Sequence, residues 1–320
     1  MTEHHDGHTT PAHVFLTRYN LPSEGVESLI RAKDGWLRER TELFERYTVP
    51  SVRTQLGEDI HWIVYVDTET PQWLLDKMYA WRDEGMLTPL LRTSVSPEDR
   101  ARDIREVVGR EAGPVITSNL DNDDGLAIDF VQRLREAPVT APRTALYIAH
   151  GLITNGSRCF LQEDRTNAFC AVREDLADLE TCWMDWHNRL GLHMDVVEVE
   201  GEPGWQQVIH GTNVSNRVRG TMVDPAPYRR TFPTLGDEIQ APTQAEVLKD
   251  RYVEAPTRWL RDSARGNARA GLVKVLGKER FDAVKYHGGK VARGAVGAAR
   301  QGAGAAKQGA AKAKEARSKG

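Results

Sequence analysis

The sequence predicts an α/β fold: a mostly parallel, mixed sheet flanked by helices, then a helical and finally disordered basic C-terminal extension. Three observations carry this. Strand-like and helix-like stretches alternate four times in about 135 residues, the rhythm of a parallel sheet covered on both faces. Two of those strands end in acids, Val66-Asp67 and Leu120-Asp121. Beyond Arg258 the composition turns basic and loses the apolar residues of a core.

In order along the chain, residues 1–12, with His4, His5 and His8, read as a disordered leader. His13–Thr17 reads as a short buried strand closed by Arg18-Tyr19-Asn20 and Pro22. From Ser28 to Tyr47 the apolar residues Leu29, Ile30, Trp36, Leu37, Leu43 and Phe44 recur at roughly helical spacing, predicting a helix that ends before Pro50. Ile60–Val66 is a clear strand, Trp73–Glu84 a helix begun near Pro71, Leu87–Arg92 a strand, and Glu98–Glu111 a helix. Val115–Leu120 predicts a buried strand, and Leu126–Glu136 a helix. Next, Ala145–His150, Arg158–Leu161 and Ala168–Val172 read as short antiparallel strands. A segment rich in Trp and Asp at 180–194 follows, with strands at Met194–Val199 and Trp205–His210. Residues 244–286 have an amphipathic helical pattern.

The chain has 320 residues, enough for one large domain or two ordinary ones. Its three cysteines, Cys159, Cys170 and Cys182, form no CxxC pair, which argues for a reducing cytoplasm and against a zinc knuckle or disulfide framework. No apolar run approaches the ~20 residues of a membrane span. The net charge of −3 conceals a division: residues 258–320 hold 16 Lys and Arg against 4 Asp and Glu, leaving 27 basic against 42 acidic residues elsewhere. An acidic body thus carries a basic arm suited to an anionic surface.

The chemistry concentrates in Asp121-Asn122-Asp123-Asp124. Three carboxylates in four residues repel one another, and a divalent cation with oxygen ligands is the usual remedy. A strand delivers them to a sheet edge, and the carboxyl edge of an open α/β sheet is where ligands bind. The competing reading is a turn, which Asp124-Gly125 also fits.

His13-Val14-Phe15-Leu16-Thr17-Arg18-Tyr19-Asn20, Trp62-Ile63-Val64-Tyr65-Val66-Asp67, Thr117-Ser118-Asn119-Leu120-Asp121-Asn122-Asp123-Asp124 and Gln207-Val208-Ile209-His210-Gly211-Thr212-Asn213-Val214-Ser215-Asn216-Arg217 occur in this order. Together they resemble the rhamnosyltransferase family of bacteria, within the GT-A-type glycosyltransferases that use nucleotide sugars, over about residues 13–220. The resemblance implies a GT-A-like domain, taken here as residues 13–235. Beyond it the pattern reads as a helical extension at 236–286 and a low-complexity basic tail at 287–320. The resemblance implies Mn²⁺ or Mg²⁺ at the Asp-x-Asp pair Asp121 and Asp123, with Asp124 and His210 as further ligands. Asp67 would contact the ribose or base, Thr17, Arg18 and Asn20 would line the nucleotide pocket, and Arg217 and Arg219 would hold the diphosphate. Asp185 is the candidate base, with Asp164 and Glu163 in reserve. Beside it, Trp183, Trp186 and His187 fall at i, i+3 and i+4, the spacing of a core helix face. Asp124 has an alternative role as cap of the helix that follows.

The function expected is metal-dependent transfer of a sugar, with rhamnose as the family label, from a nucleoside-diphosphate sugar to an envelope glycan, lipid or protein. Two other readings share the cues. A metal-dependent phosphohydrolase would use the same acids but needs more Asp and His ligands than this sequence assembles. A nucleic-acid-binding protein would act through the basic tail alone. An amphipathic helix around Leu272–Val284 on an anionic membrane ranks above nucleic acid as the tail's partner. The expected location is the cytoplasm, at the inner face of the membrane.

Overall fold

A computed structural model describes residues 10–22, 35–55, 57–210, 217–258 and 260. The chain divides into two compact units, Met1–Ser23 with Ile30–Arg258, and Glu24–Leu29 with Trp259–Gly320. Leu260 apart, the second unit lies outside the described residues, and with it the expected Leu272–Val284 helix and basic tail. The expected leader lies outside them as far as residue 9.

The first unit opens with β1 (Ala12–Arg18), then α1 (Trp36–Leu43), a π-helical turn (Phe44–Thr48) and α2 (Val49–Arg53). Next come β2 (Ile60–Val66), α3 (Gln72–Asp83), β3 (Thr88–Leu91), α4 (Pro97–Val108) and β4 (Pro114–Asn119). After these lie β5 (Gly125–Leu126), α5 (Phe130–Arg135), β6 (Thr144–Ile148), β7 (His150–Asn155), β8 (Arg158–Glu163) and β9 (Ala171–Asp175). The unit closes with β10 (Asp195–Val199), β11 (Trp205–Ile209), β12 (Thr221–Val223) and α6 (Gln244–Lys249).

Among the described residues the strands form two sheets. One has seven strands in the order β10-β6-β9-β4-β1-β2-β3, the other five in the order β12-β8-β7-β11-β5. In the larger sheet β1 runs parallel to β2 and β4, β2 to β3, and β6 to β10, while β9 runs against its neighbours β4 and β6. The expectation of a mostly parallel, mixed sheet with flanking helices holds. Alternation along β1 explains its two covered faces. Val14 and Leu16 pack in one apolar cluster with Ile63 and Tyr65, and Phe15 packs in the other with Trp62 and Val64.

Three local expectations fail, each for a physical reason. The first helical stretch does not stop before Pro50. Val49 N–H reaches back to Phe44 O, five residues away, so the hydrogen-bond ladder shifts register just before a residue that has no N–H to give. Leu126 begins no helix, because it is drawn into β5 and pairs with Trp205 on β11; α5 starts at Phe130. The segment Ala145–His150 is not one strand of an antiparallel set. The chain leaves the larger sheet at Ala149, so β6 pairs with β9 and β10 while β7 enters the smaller sheet beside β8 and β11. That transfer needs a glycine at 151, where a Cβ would stand 2.0 Å from the Trp205 ring. Trp205 stacks on Phe169 and donates from Nε1 to Ile148 O at 2.9 Å, which seats β11 and the histidine that follows it.

Candidate functional site

The acidic turn leaves β4 at the carboxyl ends of β1 and β2. Leu120 N–H donates to Leu16 O at 3.1 Å, pinning the exit of β4 to β1. Asn122 then acts as a strut. Its Nδ2 donates to Tyr19 O at 2.7 Å, and its Oδ1 accepts from Arg40 Nη1 at 3.2 Å.

Arg40 and His210 converge on Asp123. Arg40, projecting from α1, forms an ion pair with Asp123 Oδ2, and His210 Nε2 lies 2.8 Å from the same oxygen. The contact is nearly closed to solvent, with the Arg40 and Asp123 side chains 11% and 7% exposed. Burial pushes the Asp123 carboxyl up, but the His210 hydrogen bond and the Arg40 charge outweigh it and hold the group below the usual carboxylate range.

Asp124 is committed elsewhere. Its Oδ1 accepts from Val208 N–H on β11 at 2.8 Å, so it ties the turn to the smaller sheet and caps no helix. Burial, then the charges of Asp123 and Asp121, push its carboxyl well above the usual range. A group with a raised folded pKa adds stability as pH falls through that pKa and costs stability once ionised. Asp124→Asn, which keeps an oxygen for Val208 N–H and removes the charge, is therefore expected to stabilise the protein at pH 7 by about 1 kcal/mol or more. Urea unfolding checks this; a loss of stability would mean that the charge itself is required. Asp121 has the exposed position of the three. Crowding by surrounding protein and repulsion from Asp123 raise its carboxyl too, an effect that a hydrogen bond with Asn119 and the charges of Arg40 and Arg18 partly offset.

The wall beside Asp121 comes from an unexpected conformation. Thr181 has φ +70°, costly for a β-branched residue. Its N–H donates to Glu174 Oε1 at 2.8 Å, and its hydroxyl accepts from Arg100 Nε at 3.2 Å. The turn it makes sets Trp183 against the end of β4, with Nε1 donating to Asn119 Oδ1 at 2.7 Å. Arg18 lies over the Trp183 ring, 4.1 Å from its centroid.

A family model described as "Putative rhamnosyl transferase" matches residues 12–222. The chain belongs to this family. It is the family that the four quoted segments resembled. No curated protein matches the chain. Among solved structures, a TarS fragment from S. aureus, residues 1–349, is 10% identical over 61% of this chain and 60% of that one, with a TM-score of 0.37. The inositol-1-phosphate CTP transferase of T. maritima is 10% identical over 65% and 93%, with a TM-score of 0.35. A nucleotide-diphospho-sugar transferase from Desulfovibrio desulfuricans G20, described as putative, is 10% identical over 70% and 93%, with a TM-score of 0.33. The chain thus spans about three fifths of the TarS fragment.

The fold brings Asp121, Asp123, Asp124, His210 and Arg18 to one edge, but gives several expected residues other work. Thr17 lines no pocket: it is fully buried, its hydroxyl donating to Leu120 O at 2.7 Å and accepting from Trp62 Nε1 at 2.9 Å. Period-two alternation turns it inward beside Phe15. Asn20 braces the same edge, its Oδ1 accepting from Asp67 N–H at 3.0 Å and its Nδ2 donating to Thr70 at 3.0 Å. Asp67 is half-buried and accepts from Glu69 N–H at 3.2 Å, closing a turn. Asp185 accepts from His193 Nε2 at 2.9 Å and from Trp186 N–H at 2.8 Å, and the His193 bond, first among these, lowers its carboxyl below the usual range. No helix joins Trp183 to His187. Trp183 is buried and Trp186 is 69% exposed, so the expected shared core face does not exist. Arg217 and Arg219 are exposed residues ahead of β12, and residues 211–216 of the quoted loop lie outside the described residues. Asp164 accepts from Thr166 N–H at 3.1 Å and Glu163 pairs with Arg165 at 2.8 Å, both in local turn contacts.

The donors present set which ion the edge could take. Ligand atoms on adjacent corners of an octahedral ion at about 2.1 Å stand about 3 Å apart. Asp123 Oδ2 and His210 Nε2, at 2.8 Å, are compatible with one ion. Among the described residues no group of three or more His, Cys, Asp and Glu gathers as a ready cage. The pair fits an ion that takes its remaining ligands from a substrate and water. Sequence reasoning gave no role to Arg40 or to the struts Asn119 and Asn122, because helical spacing in α1 does not single out one of its arginines.

Proposed function

We propose that the transferase moves a sugar, rhamnose by its family label, from a nucleoside-diphosphate sugar to an envelope glycan, lipid or protein acceptor, with Mn²⁺ or Mg²⁺ at the acidic turn. The observation that supports this most is the Asp123 carboxylate held between Arg40 and His210 at the carboxyl ends of β1, β2 and β4. A leaving nucleoside diphosphate develops negative charge, which a bound cation would neutralise. Asp123 and His210 would hold that cation with Asp121 beside them, while Asp124 steadies the turn from behind. Arg18, Asn20 and Asp67 stand where a nucleoside would enter, and Arg217 and Arg219 would meet the diphosphate. This distribution favours a transferase over a phosphohydrolase, which would need a fuller set of protein ligands.

A thermal-shift screen of nucleotide sugars, each with and without Mn²⁺, tests the reading. Stabilisation by one nucleoside diphosphate sugar only when Mn²⁺ is present is expected. If no nucleotide sugar shifts the melting temperature under either condition, the reading fails.

Asp185 is the proposed base that takes the acceptor proton. Its lowered carboxyl stays ionised into the acid range, so the acid limb of kcat should lie below the usual carboxylate range. Asp185→Asn should lower kcat by about 10²-fold or more with donor binding unchanged. Activity within about twofold of wild type would remove Asp185 from the role.

Among the described residues no helix is long and apolar enough to cross a membrane. The basic segment beyond Arg258 supports a cytoplasmic enzyme docked on anionic lipid. Arg258 itself pairs with Asp250 at 2.6 Å, so the deletion that tests this should begin at Trp259. Deleting 259–320 should abolish sedimentation with phosphatidylserine vesicles and leave sugar transfer to a soluble acceptor intact. Unchanged vesicle binding would exclude the segment, and loss of DNA binding alone would favour nucleic acid as its partner.

A further inference from the structure

A cavity of about 710 Å³ lies at the opposite end of the central strands from the acidic turn, where Pro11 leads into β1, Ile60 opens β2 and α5 ends. The volume is that of an ordinary small-molecule site. Two guanidiniums, Arg135 and Arg173, line it together with aliphatic side chains that include Ile60, Val131 and Val139.

The charges are placed unusually. Arg173 sits on β9 inside the larger sheet, opposite Ile116 on β4 and Thr144 on β6, and is half-buried. Arg135 Nη2 donates to the carbonyl oxygens of Glu58 and Asp59, at 3.2 and 3.0 Å, and its buried Nε has no hydrogen-bond partner. Among the described residues no carboxylate forms an ion pair with either group. Asp59, whose carbonyl Arg135 touches, gives its carboxylate to Arg110 at 2.6 Å and His61 at 3.1 Å. Glu136, an exposed acid that also lines the cavity, accepts from Gln132 Nε2 at 2.8 Å. The Asp59 charge still acts on Arg135 from a distance, but neither guanidinium has a carboxylate in contact, and a half-buried cation so placed costs stability that a bound anion would recover.

We propose that this cavity is a second ligand site, built for a phosphate or carboxylate carried on an apolar body. The Arg173 guanidinium and the N–H groups of Arg135 not given to the Glu58 and Asp59 carbonyls would receive the anion, and the aliphatic wall would cover the rest. The inference is independent of the proposed transfer reaction, because the cavity lies at the far end of β1 and β2 from Asp123.

The full chain would be titrated by calorimetry with hexyl phosphate and with hexanoate, using inorganic phosphate and hexanol as head-group and chain controls. One or both amphiphilic anions should bind saturably at one site, at least about tenfold more tightly than either control. The preferred anion identifies the head group. Arg173→Met and Arg135→Met should each weaken that binding at least about tenfold. Without ligand, Arg173→Met should melt at the wild-type temperature or above, since an uncompensated charge is replaced by an apolar chain of similar length. Absence of saturable binding to wild type at about 10 mM of both anions would overturn the proposal. So would binding that survives both substitutions, or a lowered melting temperature in Arg173→Met with binding retained. Should Arg173→Met not fold, the wild-type titration and Arg135→Met decide.

Discussion

Arg40→Met should be the most destabilising single change at the candidate site, costing about 3 kcal/mol or more. Arg40 is 11% exposed, and its partner Asp123 is one of three acids in four residues. The guanidinium charge lowers the carboxyls of Asp121, Asp123 and Asp124 alike, so its removal leaves their mutual repulsion less opposed. For a unit of this size the loss corresponds to a fall in melting temperature of about 10 °C. The deficit should shrink as pH drops from about 7 towards 5. Without Arg40 the folded pKa of each acid lies higher than in wild type, so the variant regains more stability than wild type as the acids protonate. Mn²⁺ should also stabilise Arg40→Met more than wild type, because the ion would no longer share Asp123 Oδ2 with a guanidinium. Wild-type stability in the variant, or a deficit that grows on acidification, would contradict this account.

Asp123→Ala should cost less stability but more activity. The substitution removes one partner from Arg40 and His210, yet it also relieves repulsion on Asp121 and Asp124, so the two effects partly cancel. Transfer should fall by about 10³-fold, the scale expected when charge stabilisation of a leaving group is lost. The Mn²⁺-dependent thermal shift should vanish with it. Retained donor turnover would sink the metal reading. If Asp123→Ala proved less stable than Arg40→Met, the repulsion argument would be wrong even if activity were lost.

Much of this site is visible in the residues themselves. The apolar run Val115–Leu120 ending in Asp121-Asn122-Asp123-Asp124 marks both a strand and its charged exit, since burial and charge are local properties of the chain. The His210 strand end is visible for the same reason, and it does meet Asp123. Which residue neutralises the turn is not visible. Arg40 lies 82 positions before Asn122, on a helix whose pattern marks its buried face but not what its arginines approach. The inward turn of Thr17 and the tie from Asp124 to Val208 are likewise long-range choices.

By itself, then, the sequence determines the alternation of elements, the two acid-tipped strands and the family, because these depend on composition, period and order. The tertiary structure alone decides how the acids divide their work. Asp123 is matched to Arg40 and His210, Asp124 is spent on joining two sheets, and Asp121 is left open to solvent. Like charges so close cannot share one environment, and only the packing of α1 and β11 around the turn assigns each its own.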